Sequence, residues 1–356
     1  MKKFFEISDE TKIYVYCPAG IVTGGAELLH QLVDVVNRND GNAFIVYYGD
    51  SPHQIPDDYK KYNIKLCDTV MDSKENVVVI FEGCFKKLFE LKNAQVLLWW
   101  LSVDNYFLCQ ASNLAVFDLI KFNFLLAVKV FIKRSIKTVL GCREKYIFSL
   151  KKLSKNKLVR CNGYQSEYAK DFLEKKGFSN VYSLKDFINS EHFFDETLVN
   201  KKKNVVLYNP KKGIKFTKRL MKSAPDISWK PIQNMSRAEV INCLKTSKVY
   251  IDFGYHPGKD RLPREAAMNG CCIITGKLGS AGFYGDISID EREFKFSQRK
   301  RNIPEIISKI RFELANYESE IKKFQNYRDC ISKEKEEFEM QVKELFKCSA
   351  RSRNDY

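Results

Sequence analysis

The feature that most constrains this chain is a series of short, unbroken apolar runs alternating with helical patterns, which ends and then starts again. Lys12–Cys17, Ala43–Tyr48, Val77–Phe81, Gln95–Leu101 and Leu158–Cys161 are rich in β-branched and aromatic residues, the composition of strands. Their apolar residues follow one another instead of alternating with polar ones, which suits parallel strands covered on both faces. Helical patterns lie between several of them, clearest over Ala26–Arg38 and Gln165–Lys176. The series resumes with Asn204–Tyr208, Lys248–Phe253 and Cys271–Thr275, separated by helical patterns over Ile214–Lys222, Ser236–Thr246 and Pro263–Asn269. Two successive Rossmann-like α/β units are expected, and 356 residues leave room for both. The polar stretch Asn189–Lys203 divides them, giving domains at 1–190 and 191–310. Residues 311–356 form a charged helical tail whose ten Lys/Arg and ten Asp/Glu cancel, read as a solvated helix laced with i,i+4 pairs.

Composition removes several classes of function. With 44% hydrophobic and 13% aromatic residues, the chain has ample material for packed cores and is not a disordered segment. Eleven cysteines occur without a CxxC pair, and the four histidines (His30, His53, His192, His256) do not alternate with them at metal-ligand spacing. Buried reduced thiols in a cytosolic protein are the expectation, with no metal and no cofactor. No apolar run reaches the roughly 18 residues of a membrane span, and the opening MKKFFEISDETK lacks the apolar stretch of a signal peptide. A cytoplasmic location follows as an expectation.

The net charge of +16 points to an anionic partner, and its placement matters more than its size. Between Leu119 and Leu158 there are eleven Lys/Arg against the single acid Glu144, a surplus of ten. Lys121, Lys129, Lys133 and Lys137 are four or eight residues apart, so one helix would align them on one side. Phe122, Phe124, Leu125, Leu126, Val128, Phe131 and Ile132 supply the apolar remainder. Segment 115–158 therefore reads as a basic amphipathic element resting on an anionic membrane, peripheral at its inner face. Nucleic acid fits less well, because no binding module accompanies the charge.

Four segments carry candidate chemistry. The densest is Asp252–Gly282, in which a strand runs into a Gly- and Pro-containing loop and then a short helix near Pro263. It brings His256, Lys259, Asp260, Arg261 and Arg264 to the carboxyl edge of a parallel sheet, where open α/β folds bind ligands. The helix start offers free N–H groups to a pyrophosphate, and Glu265 is placed to accept the paired hydroxyls of a ribose. Ser280 follows the next strand as a further binding candidate. The second segment, Tyr16–Leu29, joins strand to helix through Gly24-Gly25, where the missing side chains allow close backbone approach to a phosphate. The third, Leu207–Gly213, places Asn209, Lys211 and Lys212 after the first strand of the second unit. Fixed positive charge there suits a departing diphosphate when no metal supplies it. The fourth, Trp99–Phe107, ends a strand with Asp104, a candidate to orient or deprotonate an acceptor hydroxyl. Glu82, at the end of the preceding strand, is its rival.

The run LPREAAMNGCCIIT, Leu262–Thr275, resembles the LPxxEAMACGxPVI signature of the retaining GT-B glycosyltransferases, the family of bacterial lipopolysaccharide and mannosyl transferases. The resemblance covers most of residues 12–285 and implies a GT-B fold, two Rossmann-like domains facing a central cleft with C-terminal helices. It implies Glu265 as the ribose-binding glutamate, Gly24-Gly25 near the donor phosphates and a loop lysine, Lys211 or Lys212, on the leaving diphosphate. The chain departs from the signature in two places. One residue fewer separates Pro263 from Glu265, and Pro257 stands where the family has the first glutamate of its E-x7-E pair, leaving Asp260 as the nearest carboxylate. The implied activity is metal-independent transfer of a sugar from a nucleotide-sugar to a lipid-linked or cell-surface glycan, as in lipopolysaccharide, O-antigen or capsule synthesis. The alternative is a basic two-lobed α/β module that binds nucleic acid or anionic membrane, including a DNA-modifying glycosyltransferase.

Overall fold

The computed structural model describes residues 3–142, 146–189 and 191–347. Ten strands are present among the described residues: β1 Ile13–Pro18, β2 Ala43–Tyr48, β3 Val77–Phe81, β4 Gln95–Trp100, β5 Val159–Tyr164, β6 Val181–Ser183, β7 Lys203–Tyr208, β8 Ser228–Pro231, β9 Ser247–Asp252 and β10 Cys272–Thr275. The helices of the first half are α1 Gly24–Arg38, α2 Val103–Cys109, α3 Val116–Phe122, α4 Phe124–Val139, α5 Leu150–Ser154 and α6 Glu167–Lys175. Those of the second are α7 Ile214–Ser223, α8 Arg237–Thr246, α9 Arg261–Met268, α10 Glu291–Phe294, α11 Ile303–Ala315, α12 Tyr317–Glu320 and α13 Gln325–Phe346.

The chain divides into two compact units. The first takes the described residues of Met1–Gln165, Ala169–Lys185 and Glu336–Tyr356; the second takes Ser166–Tyr168 and Asp186–Lys335. Every strand pairing is parallel. The first unit holds a six-stranded sheet in the order β2-β1-β3-β4-β5-β6, and the second a four-stranded sheet in the order β10-β9-β7-β8. All of β4 is buried, as expected of a continuous apolar run in a doubly wound sheet. Strand order reverses between β1 and β3 in one unit and between β7 and β9 in the other. At such a reversal neighbouring loops diverge to opposite faces and leave a crevice at the carboxyl ends of the strands. Gly24-Gly25 and Glu82 flank the first reversal; Asn209–Gly213 and Phe253–Asp260 flank the second.

Local chemistry accounts for the helix boundaries. The Thr23 hydroxyl accepts from the N–H of Ala26 at the start of α1, and Ser236 with Glu239 forms a capping box on α8. Asn123 breaks the 115–140 stretch, its side chain capping α4 through the N–H of Leu126. Lys121 is consequently on a different helix from Lys129, Lys133 and Lys137, and the single lysine row expected there is divided. Arg143, Glu144 and Lys145 lie outside the described residues.

Two other expectations differ from what is observed. The charged tail is only half solvated: Leu314, Tyr317, Ile321, Phe324, Tyr327 and Ile331 join the core of the second unit. Apolar residues recur at every third or fourth position along it, and four of its charged residues, Glu313, Glu320, Arg328 and Glu334, are buried as well. Lys202, in the polar stretch Asn189–Lys203 that divides the units in sequence, is buried with its ammonium donating to the carbonyls of Leu244 (2.8 Å), Ser247 (3.0 Å) and Asn269 (2.5 Å). It thus ties together the ends of α8 and α9. Cys17, Cys84, Cys161, Cys243, Cys271 and Cys272 are buried free thiols, whereas Cys109, Cys142 and Cys330 are exposed.

Candidate functional site

In the second unit, the loops after β7 and β9 interlock. Gly213 has a left-handed φ of 63°, and a Cβ there would overlap the carbonyl group of Phe253. Only glycine lets the two loops approach so closely. A Cβ on Gly254 would in turn strike Lys212. Asn209 tightens its loop by accepting from the N–H of Lys211 (3.0 Å), the local bond that Asx turns use.

A line of charge follows from this packing. The ammonium of Lys212 pairs with Asp260 at 2.5 Å. His256, completely buried, lies between Asp260 (Nδ1 to Oδ2, 3.4 Å) and Asp252 (Nε2 to Oδ1, 3.3 Å). Asp252 also accepts from the Tyr250 hydroxyl and the Gly254 N–H, each at 2.8 Å. Burial works to raise the Asp252 carboxyl, but His256 and these hydrogen bonds outweigh it and hold the pKa below the ordinary value. Asp252, His256 and Asp260 present ligand atoms within 4.8 Å of one another, a spacing that fits a cation; here the Lys212 ammonium lies against that group. Lys211 is exposed, at the solvent side of the same turn.

Two helices begin at this edge. Gly213 immediately precedes α7 and Asp260 immediately precedes α9, and neither side chain caps the first turn that follows it. The carboxylate of Asp260 turns instead to Lys212 and His256. Uncapped N–H groups and the positive ends of two helix dipoles next to lysines make an anion-binding edge.

The remaining sequence candidates divide into groups. α9 begins at Arg261, two residues before the expected Pro263, so Glu265 sits one turn in. It is partly exposed, with His192 Nε2 3.6 Å from its carboxylate. The Asn269 amide donates to His192 Nδ1 at 2.8 Å, which puts the ring proton on Nε2, toward Glu265. Burial, chiefly, lowers the pKa of His192 and favours this neutral form. His192 lies in the stretch read as a linker, where no local pattern singled it out.

Arg264, Lys259 and Ser280 are corrected from ligand contacts to internal supports of the loop. Arg264 is fully buried, pairing with both oxygens of Asp186 (2.8 and 3.0 Å) and with Glu334 (2.6 Å). Lys259 is buried against Glu334 at 2.7 Å. The Ser280 hydroxyl donates to the Gly258 carbonyl at 2.6 Å. A charge buried this deeply needs its partners, and these groups have theirs within the fold. Arg261, partly exposed, reaches Asp186 at 3.4 Å.

The first unit holds a different edge. Gly25 is exposed, and only Leu101 comes near the place its Cβ would occupy. Gly24 is half-buried beside it. Glu82 is buried and accepts from the Leu101 N–H at 2.9 Å; burial pushes its carboxyl up to about 8. Asp104 is buried in the first turn of α2, one residue past the start.

Comparison with known proteins places the architecture. The sequence matches no family model and no curated protein. Solved structures do match. Sucrose-phosphate synthase of Thermosynechococcus elongatus superposes with a TM-score of 0.64 at 11% identity, over 95% of this chain and 98% of the other. WaaG, a glycosyltransferase involved in lipopolysaccharide biosynthesis, gives 0.53 at 10% identity, over 93% and 99%. TarM of S. aureus, a variant in complex with fondaparinux, α-GlcNAc-glycerol and UDP, gives 0.51 at 16% identity, over 78% of this chain and 56% of TarM. These are GT-B proteins, and the chain has the GT-B fold expected from its sequence.

Proposed function

We propose that this chain is a glycosyltransferase that moves a sugar from a nucleotide-sugar to a glycan or lipid-linked acceptor. The donor diphosphate is assigned to the β7/β9 edge of the second unit. One observation carries the reading: two helix N-termini without side-chain caps open beside Lys211 and Lys212 where the strand order reverses. The shared fold with WaaG and TarM supports it.

In the reaction, an acceptor hydroxyl oxygen bonds to the anomeric carbon while the bond from that carbon to the diphosphate breaks. The electron pair leaves with the diphosphate, whose growing charge the helix ends and Lys211 stabilise. Lys212 shares its charge with Asp260, so its part is to hold the loop and to lend part of its field. Glu265 accepts the ribose hydroxyls, with His192 behind it. On the first unit, Asp104 is assigned to the acceptor proton, because Glu82, with its carboxyl near 8, keeps its own proton at neutral pH. Lys211 and the helix ends supply the charge compensation, so the scheme routes no step through a metal.

Incubating the full chain with UDP-, GDP-, TDP- and CMP-sugars and glycan acceptors tests this. Transfer from one donor series is expected, slowed on the order of 100-fold by Lys211→Ala. A folded protein that neither binds nor consumes any nucleotide-sugar would overturn the proposal.

A further inference from the structure

The first unit carries an apolar face that nothing in its own fold covers. On α4, Ala127 and Val130 are buried, and one turn further on Arg134 donates to the carbonyls of Ser112 (3.1 Å) and Ala111 (3.0 Å). That side fixes the helix to the unit. The opposite side is also apolar: Phe124, Leu125, Val128, Phe131, Ile132 and Ile136 are between 39% and 71% exposed. Their spacing of one, three and four residues places them along one stripe of the helix. α3 adds Phe117 and Ile120, likewise exposed. Lone exposed hydrophobes are ordinary, but a contiguous set of this size marks an interaction surface.

Charge selects the occupant. Lys129 and Lys133 are exposed on the flank of the stripe, within a segment whose Lys/Arg exceed its acids by ten. A second copy of the chain would bring the same surplus against it, and like charges at an interface repel. A nucleic acid would satisfy the lysines and leave the aliphatic side chains without a partner. An anionic bilayer satisfies both, taking apolar side chains into the acyl boundary and lysines into its headgroups. α4 has 16 residues, short of the roughly 20 that span a bilayer. No helix among the described residues is long and apolar enough to cross a membrane. The helix must therefore lie along the interface.

We propose that α3 and α4 form a docking surface for an anionic lipid bilayer, with α4 lying flat at the headgroup–acyl boundary and Phe124, Leu125 and Phe131 inserted. This does not rest on the sugar-transfer reading, since a chain with no transferase activity would carry the same surface.

Flotation of the full chain with vesicles tests the proposal, using phosphatidylcholine alone or mixed with phosphatidylglycerol. Binding is expected to the mixed vesicles, much weaker to the neutral ones, and weakened by salt near 1 M, where charges are screened beyond about 3 Å. The triple variant Phe124→Ser/Leu125→Ser/Phe131→Ser is expected to bind anionic vesicles at least tenfold more weakly while unfolding thermally as the wild type does. Lys129→Gln/Lys133→Gln, which leaves the apolar stripe intact, is expected to lose about tenfold on anionic vesicles only. Equal binding to neutral and anionic vesicles, or binding that ignores the apolar triple variant, would overturn it. So would a concentration-dependent dimer dissolved by the triple variant, or duplex DNA displacing the vesicles.

Discussion

The β7/β9 edge and α4 invert the usual distribution of side chains in opposite directions. Around α9, Arg264, Lys259, Asp186 and Glu334 are buried charges; on α4, phenylalanine, leucine and isoleucine stand in water. Neither arrangement favours stability by itself. Removing charges from water costs several kcal/mol before pairing offsets it, and exposed apolar area forgoes the roughly 25 cal/mol per Å² that burial provides. The two departures also differ in kind. The buried charges have their partners inside the fold, so they build a rigid edge; the exposed apolar residues have none, so they await something outside it.

That contrast is breakable, first where the effect is largest. Arg264→Met removes the cation that Asp186 and Glu334 share, leaving only Arg261 on the one and Lys259 on the other, and a loss of about 3 kcal/mol is expected in urea unfolding. A loss under about 1 kcal/mol would mean that these charges do not hold the edge together. Gly213→Ala should cost about 2 kcal/mol, from its left-handed backbone and the clash with Phe253; a neutral result would show the loops to be loosely packed.

A smaller effect concerns Glu82. The folded carboxyl keeps its proton up to about pH 8, whereas the unfolded one loses it near about 4.3. The native state therefore binds more protons across that window, and stability contributed by this group falls as pH rises through it. Glu82→Gln should flatten that fall and be more stable than wild type at pH 9, by on the order of 1 kcal/mol. An unchanged pH profile would show Glu82 to be ionised at neutrality. Smallest of all, Phe131→Ser should alter stability by no more than about 0.5 kcal/mol, because the side chain is 60% exposed. A larger loss would mean that α4 is packed within the molecule and has no outward role.

How much of this was legible beforehand depends on the range of the interaction. Strands β1–β4, β7, β9 and β10 announce themselves through consecutive apolar residues, and α7, α8 and α9 through the helical patterns over Ile214–Lys222, Ser236–Thr246 and Pro263–Asn269. β6 and β8 do not. Val181–Ser183 and Ser228–Pro231 are short edge strands, half-exposed and partly polar, with neither run nor alternation to betray them. At the site, the loop was visible but its division of labour was not. Arg264 and Glu265 are adjacent and both charged, yet one is sealed inside and the other faces outward. Asp186 and Glu334, which decide this, lie 78 and 70 residues from Arg264 in the chain. Sequence spacing carries no trace of such pairs. The same holds for His192 and for Lys202, whose three carbonyl partners come from the ends of other elements.

The central claim is that the β7/β9 edge holds a nucleotide diphosphate and that Glu265 holds its ribose. Thermal unfolding of the full chain with UDP, GDP, TDP and CMP, for wild type and Glu265→Ala, tests it most directly. Stabilisation by one nucleotide is expected, about 2.7 kcal/mol at one hundred times its Kd, largely lost in a variant whose ligand-free stability is unchanged. Stabilisation by none of them, or equal stabilisation with and without the Glu265 carboxylate, would contradict it.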